Sequence, residues 1–369
     1  MIALSRRTSV LITGVTGLLG GEILRELLKR HMGGISALIR PGSFQSAQSR
    51  FEQRMARSGE QSDYYSHGVL VMEGDISRQQ WNLSPSDFRY VTDHVETIIH
   101  CAADTSFIRG DSVIDTNIQG TKNLIALVRS MPNPPRIVYI STATNVGCVR
   151  HCCLREEQGC QAENQHHNSY TQSKAIAESM LRESGLDVLV IRPTIVLSGG
   201  LSDAAFARSI LWFAPLLYEF DALPIDPTSE VDLISSTFMA KSTIELLLAD
   251  NLAHDCYHIS AGHRHSVTCR EVLETLDRYY GRKPPQLIAP EQWTMADHRQ
   301  FIRSPEQRKV FHALRYYLPF LNMDVTYDDS RLYQALGSQV PEFQEFNSYS
   351  DQLLSQIGIN EAMVEAARP

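Results

Sequence analysis

Tyr170 and Lys174 stand four positions apart in Tyr170-Thr-Gln-Ser-Lys174, at the head of a helical run from Ala175 to Arg182. Residues i and i+4 share one helical face. A lysine ammonium beside a phenol stabilises the tyrosinate and lowers a pKa that is about 10 in isolation. Thr142, in Ser141-Thr142-Ala143, adds a hydroxyl that can bond a substrate oxygen. Together they fit one chemistry: Tyr170 donates a proton to a carbonyl oxygen while a reduced nicotinamide gives hydride to the carbon. Lys174 is also placed to hold the nicotinamide ribose hydroxyls. A Tyr-x-x-x-Lys alone arises often by chance, so its weight depends on what precedes it.

What precedes it is a phosphate cradle. Val10-Leu-Ile12 reads as a buried parallel strand, followed by Gly14, Gly17 and Gly20 and then a helix over Leu18 to Arg30. Gly14 permits a tight turn, Gly17 lets the backbone approach a pyrophosphate, and Gly20 lets the helix pack on the sheet. The helix N-terminus offers free N–H groups and its positive dipole end to the phosphates. The cofactor contacts expected here are Thr13, Gly14, Thr16, Gly17, Leu18 and Gly20.

Later strand ends supply the rest. Ile35 to Ile39 is a second strand ended by Arg40, with Arg50 further on in a helix start. A carboxylate at position 40 would accept from a ribose 2′-OH, whereas an arginine favours a 2′-phosphate, so NADP is expected over NAD. The alternative for Arg40 is a solvated charge. Val69 to Met72 is a third strand, and Asp75-Ile76 after it would frame the adenine, or Asp75 caps a turn. Val95 to His100 is a fourth, running into Cys101, Ala102 and Ala103, small residues that let the backbone lie against a cofactor. Asn117, on the next helix, would brace that backbone. A fifth strand, Arg136 to Ile140, delivers Ser141 and Thr142; a sixth, Val188 to Ile191, ends in Arg192-Pro193, after which Pro193, Thr194 and Val196 would face the nicotinamide carboxamide.

Composition bounds the partners. The 369 residues suffice for one large domain or a core domain with an appendage. A net charge of −8 and a pI near 5.9 argue against nucleic-acid binding. No apolar run approaches the roughly 18 residues of a membrane span, so no stable membrane insertion is expected. Seven scattered cysteines, and Arg6-Arg7 leading directly into the first strand, are read as free thiols in a reducing cytoplasm.

Thr13-Gly14-x-x-Gly17-x-x-Gly20, Thr142, Tyr170 with Lys174, and Arg192-Pro193 together resemble the extended short-chain dehydrogenase/reductases. Leu38-Ile-Arg40-Pro with Gln48-Ser-Arg50-Phe, His100-Cys-Ala-Ala103 and Asn117-Ile-Gln-Gly-Thr121 are similar to the acyl-thioester branch. That branch holds the fatty acyl-CoA reductases and the terminal thioester reductase domains of nonribosomal peptide and polyketide synthases and of carboxylic acid reductases. Tyr316-Tyr-Leu-Pro-Phe-Leu321, with Tyr327-Asp-Asp-Ser330, is similar to the C-terminal part of the fatty acyl reductases. The resemblance implies NADPH-dependent reduction of an acyl thioester to an aldehyde or alcohol. With no adenylation or carrier domain in the sequence, the thioester would come on an acidic acyl or peptidyl carrier protein or on coenzyme A. Many extended members carry Val-Asp-Tyr-Val before a helix; here Ser236-Thr237-Phe238-Met239 is matched to it, with Thr237 in place of the Asp.

The expected fold is α/β: a doubly wound, Rossmann-type parallel sheet of about seven strands, with a smaller, mostly helical C-terminal substrate lobe. The NADP-binding domain would be 1–199, completed by 230–262, and the lobe 200–229 with 263–369. Between Gly147 and Tyr170 lie Cys148, His151, Cys152, Cys153, Cys160, His166 and His167, in no familiar metal-ligand spacing; the segment is read as a flexible polar loop without metal. Ala204 to Tyr218, with Phe206, Ile210, Trp212, Phe213 and Leu217 interrupted by Arg208 and Pro215, would be core or line an acyl channel. Arg299, Arg303, Arg308, Lys309 and Arg315 form a basic run that either is solvated or docks an acidic carrier or coenzyme A phosphates. An amphipathic helix is expected near Tyr349 to Ile357. A ketone or aldehyde reductase would use the same catalytic residues. Nucleotide-sugar epimerases and dehydratases usually retain NAD, which Arg40 opposes, and non-catalytic NADP-sensing proteins typically lack the Tyr or the Lys.

Overall fold

The computed structural model describes residues 9–58, 68–107, 110–159, 163–198, 211 and 213–355. Its centre is an all-parallel sheet of β1 (Val10–Thr13), β2 (Ile35–Ile39), β3 (Leu70–Glu73), β4 (Thr97–His100), β5 (Arg136–Ile140), β6 (Val188–Pro193) and β7 (Cys256–Ile259). The order across the sheet is β3-β2-β1-β4-β5-β6-β7. The register aligns Val10 with both Ile35 and Thr97, and Ile137 with Val188.

The apolar strand runs arise because both faces are covered. Val10 and Ile12 join a core with Ile23, Leu24 and Leu27 of α1 (Leu18–Lys29), Phe51 and Met55 of α2 (Ala47–Ser58), and Phe238 and Leu247 of a later helix, Ser236–Leu248. Leu11 turns the other way. It meets Val91 of α3 (Pro85–His94), Leu124 and Val128 of α4 (Asp111–Arg129), and Leu181 of α5 (Ser169–Glu183). The order reverses at β1, which lies between β2 and β4, so a crevice opens where these strands end.

A second core gathers Phe213, Leu216, Leu217 and Phe220 with Leu276 of α7 (Cys269–Tyr280), Ile302, and Val310 and Leu314 of α9 (Pro305–Leu314), which follows α8 (Met295–Phe301). Ser236–Leu248 is α6. Leu332 and Leu336, though late in the chain, pack into the sheet's own core. The last described helix is Phe346–Leu354; positions 356 and 357 of the expected C-terminal helix lie outside the described residues, as do Ala204, Phe206, Arg208, Ile210, Trp212 and Cys160.

Two expectations need correction. In the segment expected to be a flexible loop, residues 152–156 are anchored. Cys152–Leu154 pairs in parallel with Val325–Tyr327, and Glu156 accepts from the His258 amide at 3.0 Å. Local polarity gave no hint of a strand whose partner lies over 170 positions away. Ser236 to Met239, expected to precede a helix, instead form the first turn of α6, which Ser235 caps. The chain before that helix is Val231-Asp232-Leu-Ile, and Asp232 is the buried carboxylate there, 3% exposed. Leu233–Ser235 pairs in parallel with Ile195–Leu197, outside the central sheet.

Candidate active site

Most of the expected cofactor contacts lie at or just after the C-terminal ends of the strands, and Arg50, Asn117, Tyr170 and Lys174 lie on the helices that follow. Gly14 takes φ +79°, and a Cβ on it would sit 2.7 Å from the Ala102 amide nitrogen. A Cβ on Gly20 would sit 2.3 Å from the Gly14 carbonyl oxygen. Both positions need glycine for the turn and helix to close on each other. Gly17 caps α1 without a side-chain hydrogen bond, so the first-turn amides of α1 face the crevice with no capping side chain over them. Thr16, Gly17 and Leu18 are half-buried beside it. These features fit a dinucleotide pyrophosphate.

Thr13 ties this turn to the loop after β4. Its Oγ1 accepts from the amides of Cys101 at 3.2 Å and Ala102 at 3.0 Å. Its own hydrogen is then left for His100 Nδ1, 3.3 Å away. His100 is therefore neutral with its proton on Nε2. Burial, then the charge of Lys174, pushes its pKa down to about 3. Burial likewise pushes the Cys101 thiol up to about 12, so Cys101 and Ala103 serve as uncharged backbone wall. Asn117 braces the same loop: Oδ1 accepts from the Asp104 amide at 2.8 Å, and Nδ2 donates to the Asp104 carbonyl at 3.0 Å and to Ser173 Oγ at 2.9 Å.

At the end of β2, Arg40 is exposed and Arg50 of α2 donates to its carbonyl. Asp75 Oδ1 accepts from the Ser77 amide at 2.9 Å and hydroxyl at 2.8 Å, the turn-capping role. Ile76 packs beneath Gly120, where a Cβ would meet its Cδ1 at 2.9 Å.

Thr142, 6% exposed, caps a short 3-10 turn, Ala143–Val146, and shares a hydrogen bond of 2.9 Å with Thr144 Oγ1. Tyr170 heads α5, with the Phe107 ring centroid 5.8 Å from its own. Burial raises the Tyr170 phenol above its usual range, keeping the proton that an acid must give. Lys174 Nζ donates to the Ile140 carbonyl at 2.6 Å and lies 4.1 Å from the centre of the Tyr139 ring. Burial lowers it to about 8. The expected lowering of the Tyr170 pKa by Lys174 is therefore absent from this arrangement: the ammonium bonds the sheet, and desolvation of the phenol prevails.

Sequence reasoning passed over the group that holds these pieces together. Glu178, one helical turn after Lys174, is fully buried. Its Oε2 accepts from Ser141 Oγ at 2.7 Å, Asn145 Nδ2 at 2.7 Å and Arg192 Nε at 3.1 Å. Its Oε1 accepts from Arg192 Nη2 at 2.5 Å and Arg182 Nε at 3.0 Å. Burial opposes ionisation, but the Arg192 charge and the hydrogen bonds outweigh it and hold the carboxyl below its usual range. A glutamate on the inner face of an otherwise small and apolar helix was the available signal. Thr194 is fixed in the same manner, its hydroxyl donating to Asp232 Oδ1 at 2.7 Å. Asp232 also accepts from the Ala261 amide at 2.8 Å, and burial pushes its carboxyl up to about 7.

Replacing Glu178 by Gln leaves Arg192 buried beside a neutral partner. A loss of about 3–5 kcal/mol in unfolding free energy is expected, measured by urea denaturation; a loss below 1 kcal/mol would show that the ion pair does not organise the site.

Comparison with known proteins places these features. Residues 12–243, well over half of the chain, match the family described as Male sterility protein. Peramine synthetase A of Epichloe festucae is 27% identical over 220 residues, 56% of this chain but 8% of that protein. Fatty acyl-CoA reductase 1 of Mus musculus is 24% identical over 221 residues, 51% of this chain and 43% of that one. The chain thus spans less than half the length of either relative. In fold, it is similar to the terminal R domain from the myxalamid PKS-NRPS biosynthetic pathway, with TM-score 0.79 and 20% identity over 95% of this chain and 90% of that one. On the strength of the match across 12–243, the chain belongs to the NAD-binding Male sterility protein family.

Proposed function

We propose that the protein is an NADPH-dependent reductase of acyl thioesters, yielding an aldehyde or alcohol. The observation that carries this reading is the convergence of Thr142, Tyr170 and Lys174 beside the glycine cradle, braced by Glu178 and Asn117. The relatives support the substrate class. NADPH, when bound, supplies hydride to the thioester carbon. Thr13, Gly14, Thr16, Gly17, Leu18 and Gly20 would hold its phosphates, Arg40 and Arg50 the 2′-phosphate, and Asp75 with Ile76 the adenine end. Cys101, Ala102, Ala103, Pro193, Thr194 and Val196 would line the nicotinamide end.

The chain's own residues do the rest. Thr142 orients the thioester oxygen and Tyr170 protonates it, its proton retained until then by burial. Lys174, which donates to the Ile140 carbonyl, would hold the ribose hydroxyls of the cofactor. Collapse of the resulting hemithioacetal releases the thiol.

The partner we propose is a separate acidic carrier protein or coenzyme A. Arg299, Arg303, Arg308, Lys309 and Arg315 are exposed on and around α8 and α9. Arg303 pairs with Asp221 at 3.0 Å, and Arg315 stacks over Tyr316 at 4.8 Å. This patch borders Tyr317, whose ring centroid is 4.9 Å from that of Phe107, the ring facing Tyr170. Among the described residues no helix is long and apolar enough to cross a membrane.

With acyl-CoA and acyl-pantetheine substrates, free thiol should appear in step with NADPH oxidation; oxidation with ketones and without thiol would make the protein a ketoreductase. Tyr170→Phe should lower kcat by about 10²–10⁴-fold with NADPH binding retained, and full activity would refute the acid assignment. Arg40→Asp should move kcat/KM toward NADH, so an unchanged NADPH preference removes Arg40 from 2′-phosphate recognition. Neutralising Arg303, Arg308 and Arg315 together should raise KM for a carrier-bound thioester more than for a short pantetheine mimic; equal effects would dismiss the docking role.

A further inference from the structure

Two cavities share one lining residue. The smaller is lined by Thr144, Ile195, Glu230, Asp232, Phe320 and Tyr327, and by Val231. It adjoins the catalytic residues: Thr144 bonds Thr142, and the Phe320 ring lies 5.1 Å from Phe107, which faces Tyr170. The larger, of about 40 Å³, lies in the second core between α7 and the chain around Leu217 to Val231. Its walls include Leu217, Leu223, Ile225, Leu273 and Leu276. Among the described residues every lining side chain except Cys269 is a hydrocarbon, and the Cys269 thiol is turned to the Leu321 carbonyl at 3.2 Å.

Val231 is common to both linings and is 2% exposed. It forms the partition between the cavity beside Thr144 and the apolar one. A second track of contacts runs the same way: Phe213, in the wall of the larger cavity, has its ring 6.2 Å from Tyr317, which packs on Phe107. Of the described stretch Leu211 to Tyr218, it is Leu211, Phe213 and Leu217 that face this space.

We propose that the cavity behind Val231 receives the alkyl tail of the acyl group, and that Val231 is the specificity-determining residue controlling how far the tail extends. The inference rests on the thioester reading of the catalytic pocket and narrows its substrate to acyl groups with an unfunctionalised alkyl end. A void of this measure accommodates one water per roughly 10–15 Å³, hence about three methylene-sized groups. Each buried methylene is worth about 0.8 kcal/mol, or roughly fourfold in binding. The tail is thus of modest length unless the partition is opened.

The test uses the full chain, NADPH and N-acetylcysteamine thioesters from acetyl to dodecanoyl, with thiol and NADPH both followed. Wild type should gain at least tenfold in kcat/KM between butanoyl and octanoyl. Leu273→Phe fills the cavity from a half-exposed position on α7 and should bring the octanoyl-to-butanoyl ratio close to one. Val231→Ala should shift the optimum to longer chains. In parallel, 1-octanol and 1-butanol are titrated calorimetrically into the protein with NADP⁺; octanol should bind at least tenfold tighter, and Leu273→Phe should abolish the difference. A flat chain-length series in wild type, or an octanoyl preference surviving Leu273→Phe, overturns the cavity role while thiol release leaves the thioester reading standing. Absence of thiol from every thioester defeats the thioester reading instead, and the alkanol titration then decides the cavity alone: a Leu273-dependent octanol preference supports it, and equal binding overturns it.

Discussion

The Glu178 carboxylate is the constraint around which the active site is built. A charge with no exposed surface persists in a protein only if hydrogen bonds and opposite charge replace the water it has lost. Glu178 meets that condition through donors from three different segments: Ser141 and Asn145 beside Thr142, Arg192 on β6, and Arg182 on its own helix. Satisfying the charge therefore fixes the strand end that carries Thr142, the helix that carries Tyr170 and Lys174, and the strand that runs into Pro193 and Thr194. Arg192 extends the network by donating to the Glu156 carbonyl at 2.8 Å, so the 148–167 segment is drawn into the same frame.

The cofactor side follows a parallel logic with neutral groups. Thr13 commits both acceptor positions to the amides of Cys101 and Ala102 and its one hydrogen to His100. Once that pattern is set, His100 cannot take a second proton without opposing both Thr13 and Lys174, and burial reinforces the restriction. The glycine turn and the small-residue loop are held at a spacing that only Gly14 tolerates. Two hubs, one charged and one neutral, thus position the glycine turn and the helix bearing Tyr170, and Asn117 links the loop after β4 through Ser173 to that helix.

The lobe beyond the sheet is less self-evident. Its second core forms from pieces far apart in the chain, and its late helix returns Leu332 and Leu336 to the first core. Asp232 sits where the two cores meet, holding Thr194 on one side and Ala261 on the other. The aromatic contacts from Phe213 through Tyr317 and Phe107 to Tyr170 carry the lobe's packing to the catalytic phenol.

By itself the sequence determined what depends on local spacing. Apolar runs of three to six residues placed the strands of the sheet within a residue or two, and glycines three apart marked the tight turn between β1 and α1. These signals are legible because strand burial, turn conformation and helical faces depend on neighbours a few positions away. Only the tertiary structure decided the roles of Glu178, His100 and Asp232, the pairing of Cys152–Leu154 with Val325–Tyr327, and the partition at Val231. Each depends on which distant group supplies the missing hydrogen bond or packs on the other side. Asp232 is such a case: a buried acid is recognised by its donors, and the Thr194 hydroxyl and Ala261 amide come from segments on either side of it in the chain.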